Sequence, residues 1–512
     1  MHPTFRRSAQ IIAGALLLAT SATPLVAQAT RAPRALPESL RSEIRRLLDS
    51  SGVASVTVAV ARDGAVLWEE GFGYADLERR VPATPTTLYS LASISKPFTA
   101  TAVMRLVEQG RVSLDRPVDD YLGGPRLTGL AGDRADATVR RVLSHTAGLP
   151  LHYRFFYAGD SSTPNVPETI ARYGRVMFPP GEVYEYSNLG FGILGDLVAH
   201  VSGLSYEQYM RDSVFRPLGL RTTTVSTGAG LANSAVRYDG HHRPIPFYDF
   251  DHRGASAVYS SADELVRFGM FILKERPAGL RNPPISSSTI DLMQHVATPG
   301  DTARGYGLGW GIDTDYGVRR IQHTGGMPGV ATILALYPAE RVVVVVLSNQ
   351  STGLPFRIAS DVAAAVLPAR YDSARVARRA APAARPQLVV APPELRGEWR
   401  GTVRTYEGSV PMSLRVDSAR VLVRWASDTA SWIPLDDMNY RNGLIGGSFA
   451  GTMPTADARR VAHAIGIHLL VRNDTMRGWV AAEASTETND YSLSSYAALT
   501  RVLPGGEGAS PR

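Results

Sequence analysis

The chain has 512 residues, 44% of them hydrophobic and 20% charged, the make-up of an ordinary folded protein long enough for two or three domains. Its net charge of +7 is modest for that length and forms no basic stripe, which argues against nucleic acid as a partner. With no cysteine, disulfides and thiol nucleophiles are excluded, and a large core has to supply the stability.

The N-terminus reads as an export signal: Arg6 and Arg7, an apolar run from Ile11 to Ala19, and the small-residue cleavage site Ala27-Gln28-Ala29. A membrane anchor needs about 20 apolar residues, and Thr20, Ser21 and Thr23 interrupt sooner. Loss of residues 1–29 is therefore expected to leave no stable membrane anchor, and the protein is expected in the periplasm or outside the cell. Leu40, Ile44, Leu47 and Leu48 recur at helical spacing. Val53 to Ala61 alternates like a strand, turns at Asp63-Gly64, and returns through Ala65 to Phe72. Ser95 to Gln109 reads as a helix stopped by Gly110, and further helical patterns cover Leu189 to Val201 and Ala262 to Leu273. Strands are expected near Val318 to Gln322, Ala331 to Tyr337 and Val342 to Leu347. The last two are joined by Pro338 to Arg341 as an antiparallel hairpin, and five consecutive valines mark a strand buried on both faces.

Residues 367–393 turn to Ala, Arg and Pro and read as a solvated linker. From 394 to 503 short strand-like runs alternate with turns, as in a small β-barrel-like domain with Trp399 in its core. Residues 504–512 read as a flexible tail.

Of the 54 basic residues only Lys96 and Lys274 are lysine. Arginine cannot give up its proton in a protein, whereas a buried lysine can be driven to the neutral amine. A lysine kept against that background is a candidate for proton transfer, and Lys96 stands one helical turn after Ser93. Ser93 is expected at a helix start, where unpaired N–H groups favour developing negative charge. A serine hydroxyl is a weak nucleophile until a base takes its proton. Two more segments join this pair. Tyr186-Ser187-Asn188 supplies a tyrosine, which serves as a base only where cations lower its pKa from about 10, and an amide able to hold Lys96 and a substrate amide together. His323-Thr324-Gly325-Gly326 ends a strand with glycines that let a substrate backbone lie close, and the N–H of Gly326 can join that of Ser93 as an oxyanion donor. Acyl transfer by such a set requires no metal and no organic cofactor. His145 reads as a structural loop residue and Lys274 as a solvated helix end. His241, His242 and His252, with Asp249 and Asp251, read as a substrate-lining loop rather than a metal site.

Ser93-x-x-Lys96, Tyr186-x-Asn188 and His323-Thr324-Gly325, in that order, resemble the three motifs of the serine β-lactamase and penicillin-recognising family. The tyrosine version resembles class C β-lactamases, D-Ala-D-Ala carboxypeptidases, D-aminopeptidases and β-lactamase-like esterases. Leu143 to Pro150, Tyr186 to Gly195 and Tyr306 to Gly311 match as well, over roughly residues 37–366. The resemblance implies an α+β fold over residues 30–366: an antiparallel sheet flanked by helices with a helical subdomain, followed by the small all-β domain. It implies a serine hydrolase with Ser93, Lys96 and Tyr186 catalytic, the N–H groups of Ser93 and Gly326 as oxyanion hole, and Asn188, His323, Thr324 and Gly325 binding substrate. The substrate is then a small molecule or short peptide, peptidoglycan-derived for the carboxypeptidase branch. Which of Lys96 and Tyr186 is the base stays open. His323, where β-lactamases usually carry lysine, and Gly326, where a hydroxyl residue often stands, resemble the peptidase and esterase branches. All three motifs lie before the linker, so Ser93 is expected to stay reactive toward a small fluorophosphonate without residues 394–512, while the resemblance to D-aminopeptidases allows the C-terminal domain to roof the cleft and shape substrate preference.

Overall fold

The run Val342-Val343-Val344-Val345-Val346 is 0% exposed throughout, as a strand covered on both faces must be. In this computed structural model, which describes residues 37–503 apart from 158–162, 277–279, 281, 368, 381–390, 419 and 487–489, it lies inside an 8-stranded antiparallel sheet. The expected export signal, the tail and residues 381–390 of the expected linker lie outside the described residues.

The sheet contains β1 (Ser55–Arg62), β2 (Ala65–Asp76), β3 (Gly311–Asp315), β4 (Val318–Met327), β5 (Val330–Tyr337) and β6 (Val342–Ser348). Its spatial order is β3-β4-β5-β6-β1-β2, with a two-residue strand added at each edge. Strand alternation divides the valines. Val343 and Val345 join the core containing Leu265 and Phe268 of the helix Ala262–Ile272. Val342, Val344 and Val346 join the core containing Ile358 and Val362 of the helix Leu354–Val366, with Ile44 and Leu47 of the N-terminal helix Glu38–Ser51. Each fully buried valine contributes about 1.5–3 kcal/mol relative to exposure. Helix and sheet approach so closely at Gly269 that an added Cβ would lie 2.5 Å from Val343 Cγ1.

Two helices carry site residues. We label them α1 (Ser95–Glu108), entered through the 3₁₀ turn Ala92–Ile94, and α2 (Asn188–Ser202). Ser187 caps α2 by accepting from Gly190 N at 2.9 Å, which satisfies one of the free N–H groups of the first turn.

The expected solvated linker departs from its reading. Ala369–Ala380 is helical, and Tyr371 is 0% exposed, donating from its hydroxyl to Asp315 Oδ2 at 2.8 Å. Beyond it the C-terminal strands wind into a near-barrel in which Gly397–Arg404 pairs with the final strand, Asp490–Arg501. Trp399 is fully buried there and donates Nε1–H to Leu395 O at 2.9 Å. This domain is not separate from the rest. Its final strand pairs with Tyr153–Tyr157 through Tyr491 opposite Arg154, and Asp457 accepts from Tyr173 and, at 2.7 Å, from Tyr406. The described residues belong to one compact unit. Among the described residues no helix is long and apolar enough to cross a membrane.

Candidate active site

Ser93 sits at the middle of the 3₁₀ turn, half-buried, just after Ala92, which has φ of 48°. A positive φ is costly for a residue with a Cβ and persists only where neighbours over-determine it. Here they do. Leu91 N donates to Val258 O at 2.9 Å, Thr332 Oγ1 donates to Leu91 O at 3.0 Å, and Ser95 Oγ donates to Ala92 O at 2.6 Å. Ser95 is fully buried in this bracing, which separates it from the accessible Ser93. Gly325 completes the fit: a Cβ there would lie 2.1 Å from Leu91 O and 3.1 Å from Ala92 Cβ. Its lack of a side chain thus lets β4 close on the serine turn. Gly326 has nothing within 4 Å of the same position and opens onto the cavity.

Lys96 is 0% exposed on the first turn of α1. Its Nζ is 3.0 Å from Ser93 Oγ, 2.7 Å from Asn188 Oδ1 and 3.3 Å from Ala255 O. Two of these partners are carbonyl oxygens and can only accept. A neutral amine would donate both its N–H groups to them and leave its lone pair for the Ser93 hydroxyl proton. Burial holds the Lys96 amine well below its usual pKa.

Tyr186 faces the same nitrogen, with Nζ 4.7 Å from its ring centroid, and lines both cavities that Ser93 lines. The sequence expects cations to lower its pKa if it is to be a base. Instead burial pushes the Tyr186 phenol up, with only the Ser93 side chain opposing. His145 packs on it at 4.4 Å between centroids and accepts from Ser187 N, through Nδ1, at 3.0 Å. The residue read as a structural loop histidine is therefore built into the site.

His323 is 5% exposed, donates Nδ1–H to Thr324 O at 2.8 Å, and so offers Nε2 to the Tyr306 hydroxyl, also at 2.8 Å. Burial and the nearby Lys96 push its pKa down to about 3, so it is neutral at any physiological pH. Thr324 is exposed beside it. Along β4, β3 pairs with Val318–Gln322 alone, so among the described residues His323 to Met327 have β5 on one side and no strand on the other.

A cavity of 590 Å³ is lined by Ser93, Tyr186, Asn188, Gly326, His252 and Ser256, and a second of 500 Å³ by Ser93, Tyr186, His323, Thr324 and Arg304. Of the three histidines expected on one lining loop, His252 alone is in the first cavity. Its Nδ1 donates to Asp251 Oδ1 at 2.6 Å, while His152 bonds the other carboxylate oxygen at 2.8 Å. Burial alone would raise the Asp251 carboxyl, yet the two histidines hold it well below the usual range. His242 lies apart, on Gly52 O, and Lys274 pairs with Asp291 at 2.6 Å.

The C-terminal domain reaches the cleft, as the resemblance to D-aminopeptidases allows. Ser485, Thr486 and Asp490 line the first cavity, and burial lifts the Asp490 carboxyl to about 6. No local pattern in those residues marks them, because strand pairing over hundreds of residues brings them in. Glu185, Tyr306 and Ser256 were equally unmarked, although Tyr306 falls in a segment matched by the resemblance.

A family model described as Beta-lactamase matches residues 40–369. Penicillin-binding protein 4* of Bacillus subtilis (strain 168) is 28% identical over 319 residues, covering 57% of this chain and 68% of its own length. Unguisins hydrolase ungD' of Aspergillus campestris (strain IBT 28561) is 28% identical over 335 residues, 61% of this chain; the chain thus spans 62% of that relative's length. The crystal structure of SurE with D-Leu matches 91% of this chain and 99% of its own at a TM-score of 0.58 and 20% identity, which extends the likeness in fold into the C-terminal β domain.

Proposed function

The chain belongs to the β-lactamase family of serine hydrolases, and from that premise we propose that it is an exported enzyme forming an acyl-enzyme on Ser93 with D-amino-acid peptides or amides. The observation that carries the reading is the fully buried Lys96 amine, 3.0 Å from Ser93 Oγ with both carbonyl partners in place. Lys96 takes the Ser93 proton as Oγ bonds to the substrate carbonyl carbon. The N–H groups of Ser93 and Gly326 receive the oxyanion, each such donor worth about 3–4 kcal/mol. Tyr186, a phenol rather than a phenolate at rest, gives its proton to the leaving nitrogen or oxygen and is reprotonated from Lys96. Water then attacks the acyl carbon, one proton returns to Ser93 Oγ, and the acid product leaves. The opposed shifts of Lys96 and Tyr186 favour Lys96 as the base, within a pair that titrates together.

The free edge of β4 beside Ser93 favours an extended peptide, which can add to it as a strand. D-amino-acid chemistry is supported by the SurE structure, solved with D-Leu, whose likeness covers both parts of this chain. The neutral His323 favours a second reading, a carboxylesterase for small uncharged acyl groups, over capture of carboxylate-bearing β-lactams. A non-catalytic binding module that keeps the fold is disfavoured by the intact set of Ser93, Lys96, Tyr186 and His323. Turnover of D-amino-acid amides, D-Ala-D-Ala peptides, short-chain esters and a chromogenic cephalosporin by purified protein tests these readings together. Hydrolysis of esters alone would overturn the peptidase reading, and a fast cephalosporin reaction would restore the β-lactamase one.

A further inference from the structure

Tyr186 is held through the residues on either side of it. Glu185 N donates to His145 O at 2.8 Å, and Ser187 N donates to His145 Nδ1 at 3.0 Å. One loop histidine therefore grips the backbone before and after the tyrosine. A third hold comes from the Glu185 side chain. Trp479 Nε1 donates to Glu185 Oε1 at 3.0 Å, and His468 Nδ1 lies 2.9 Å from Oε2.

Both partners belong to the C-terminal β domain. His468 and Trp479 face each other across the antiparallel strands Ala464–Arg472 and Thr475–Ser485, with ring centroids 5.4 Å apart. The seat beneath them is tight: Phe178 packs against His468 at 5.8 Å, and a Cβ on Gly478 would lie 2.9 Å from the Phe178 ring. Glu185 is 7% exposed, so its carboxylate has given up water for these two donors. Acyl transfer at Ser93 has no use for a carboxylate pointing out of the site. Its placement, one residue before Tyr186 and clamped by another part of the chain, has a mechanical use.

We infer that Trp479 and His468 are positioning residues that fix Tyr186 through Glu185, so that the C-terminal β domain sets the geometry of proton delivery. The inference rests on the reading of Tyr186 as the donor to the leaving group. A misplacement of about 1 Å in such a group costs on the order of 10²-fold in rate.

The test uses the full chain and two esters with the same acyl group, p-nitrophenyl acetate and phenyl acetate. The p-nitrophenolate leaves readily unprotonated, whereas phenolate depends more on a proton from the enzyme. Trp479→Phe keeps the packing and removes the N–H; Glu185→Gln keeps the shape and removes the charge. Each should lower kcat for phenyl acetate roughly 10-fold or more, with KM within about 2-fold and a clearly smaller loss for p-nitrophenyl acetate. The double variant should lose no more than the worse single one, because both act along one path. Tyr186→Phe is the reference and should show the same bias toward phenyl acetate, more strongly. If Tyr186→Phe shows no such bias, the reading of Tyr186 fails. If it does, while Trp479→Phe and Glu185→Gln change neither ester, slow both equally, raise KM alone or add in the double variant, the positioning inference fails by itself.

Discussion

Replacing Lys96 by arginine writes the basic residue that this chain uses almost everywhere else, and should still destroy the activity. Lys96 is 0% exposed and its three contacts, Ser93 Oγ, Asn188 Oδ1 and Ala255 O, include no carboxylate. Burial favours its neutral form, and the two carbonyls orient its lone pair toward Ser93. Arginine has no accessible neutral form and a larger, planar head. Loss of the general base alone is worth about 10²–10⁴ in rate, and the guanidinium would also crowd the nucleophile, so a fall of at least ~10³ is expected. A fixed charge buried without a counter-ion costs about 3–5 kcal/mol, which in a chain of this size lowers the melting midpoint by roughly 3–5 °C. Lys96→Met separates the two effects: it should be as inactive yet melt no lower than the wild type. The assay is the second-order rate of Ser93 labelling by a fluorophosphonate from pH ~5 to ~9, with thermal melts alongside. In the wild type the rate should fall on the acid side, as Lys96 gains a proton below its depressed pKa, and level off above it. An arginine variant keeping more than about a tenth of the labelling rate would mean that Lys96 serves as a fixed cation and that the proton-transfer argument is wrong.

His323→Lys should speed acylation by a cephalosporin more than turnover of an uncharged ester at pH ~7.5, because it introduces the cation that the neutral His323 lacks; equal effects on kcat/KM for both would refute this. The folded pKa of His323 lies at about 3 against about 6.5 unfolded. Its contribution to stability is therefore complete above pH ~6.5 and lost as pH falls toward 3, at up to about 1.4 kcal/mol per pH unit. Melts of wild type and His323→Gln between pH 7.5 and 4.5 should show the smaller acid loss in the variant, and equal losses would contradict it. Gly325→Ala should disrupt the serine turn, since its Cβ would meet Leu91 O at 2.1 Å; labelling at the wild-type rate would show that the turn yields freely. Removal of residues 394–512 should give a protein that does not label, because it strips the Asp457 and Trp479 contacts and the partner strand of Tyr153–Tyr157. A folded, reactive truncation would return the domain to the independent status that its place in the sequence implies.

Chemistry that is local in the chain is legible in the sequence. Ser93 and Lys96 are one turn apart and must be neighbours on a helix, and the valine run from 342 to 346 has only one comfortable home, between two layers. Asn188 and His323 follow from motif order, and the structure brings Asn188 to one and His323 to the other of the two cavities that share Ser93 and Tyr186. What escaped depends on distant pairing. Nothing local marks Glu185, whose donors are on strands nearly 300 residues later in sequence. Tyr371 was hidden in an Ala/Arg-rich stretch whose composition says solvent, while its ring reaches Asp315 and packs on Tyr316 at 5.2 Å. The direction of the Tyr186 shift was missed for a related reason: the sequence reveals a cation nearby, but not how deeply the phenol is buried.

The central claim is that Ser93, and no other serine, becomes acylated. Mass spectrometry of the full chain after reaction with a fluorophosphonate, with peptide mapping of the adduct, tests it most directly. The account predicts one adduct on Ser93, absent from Ser93→Ala and nearly absent from Lys96→Arg, with the melting midpoint of Ser93→Ala unchanged. An adduct on Ser95, on Ser144 or on any other serine, or an unlabelled but fully folded wild type, would contradict it.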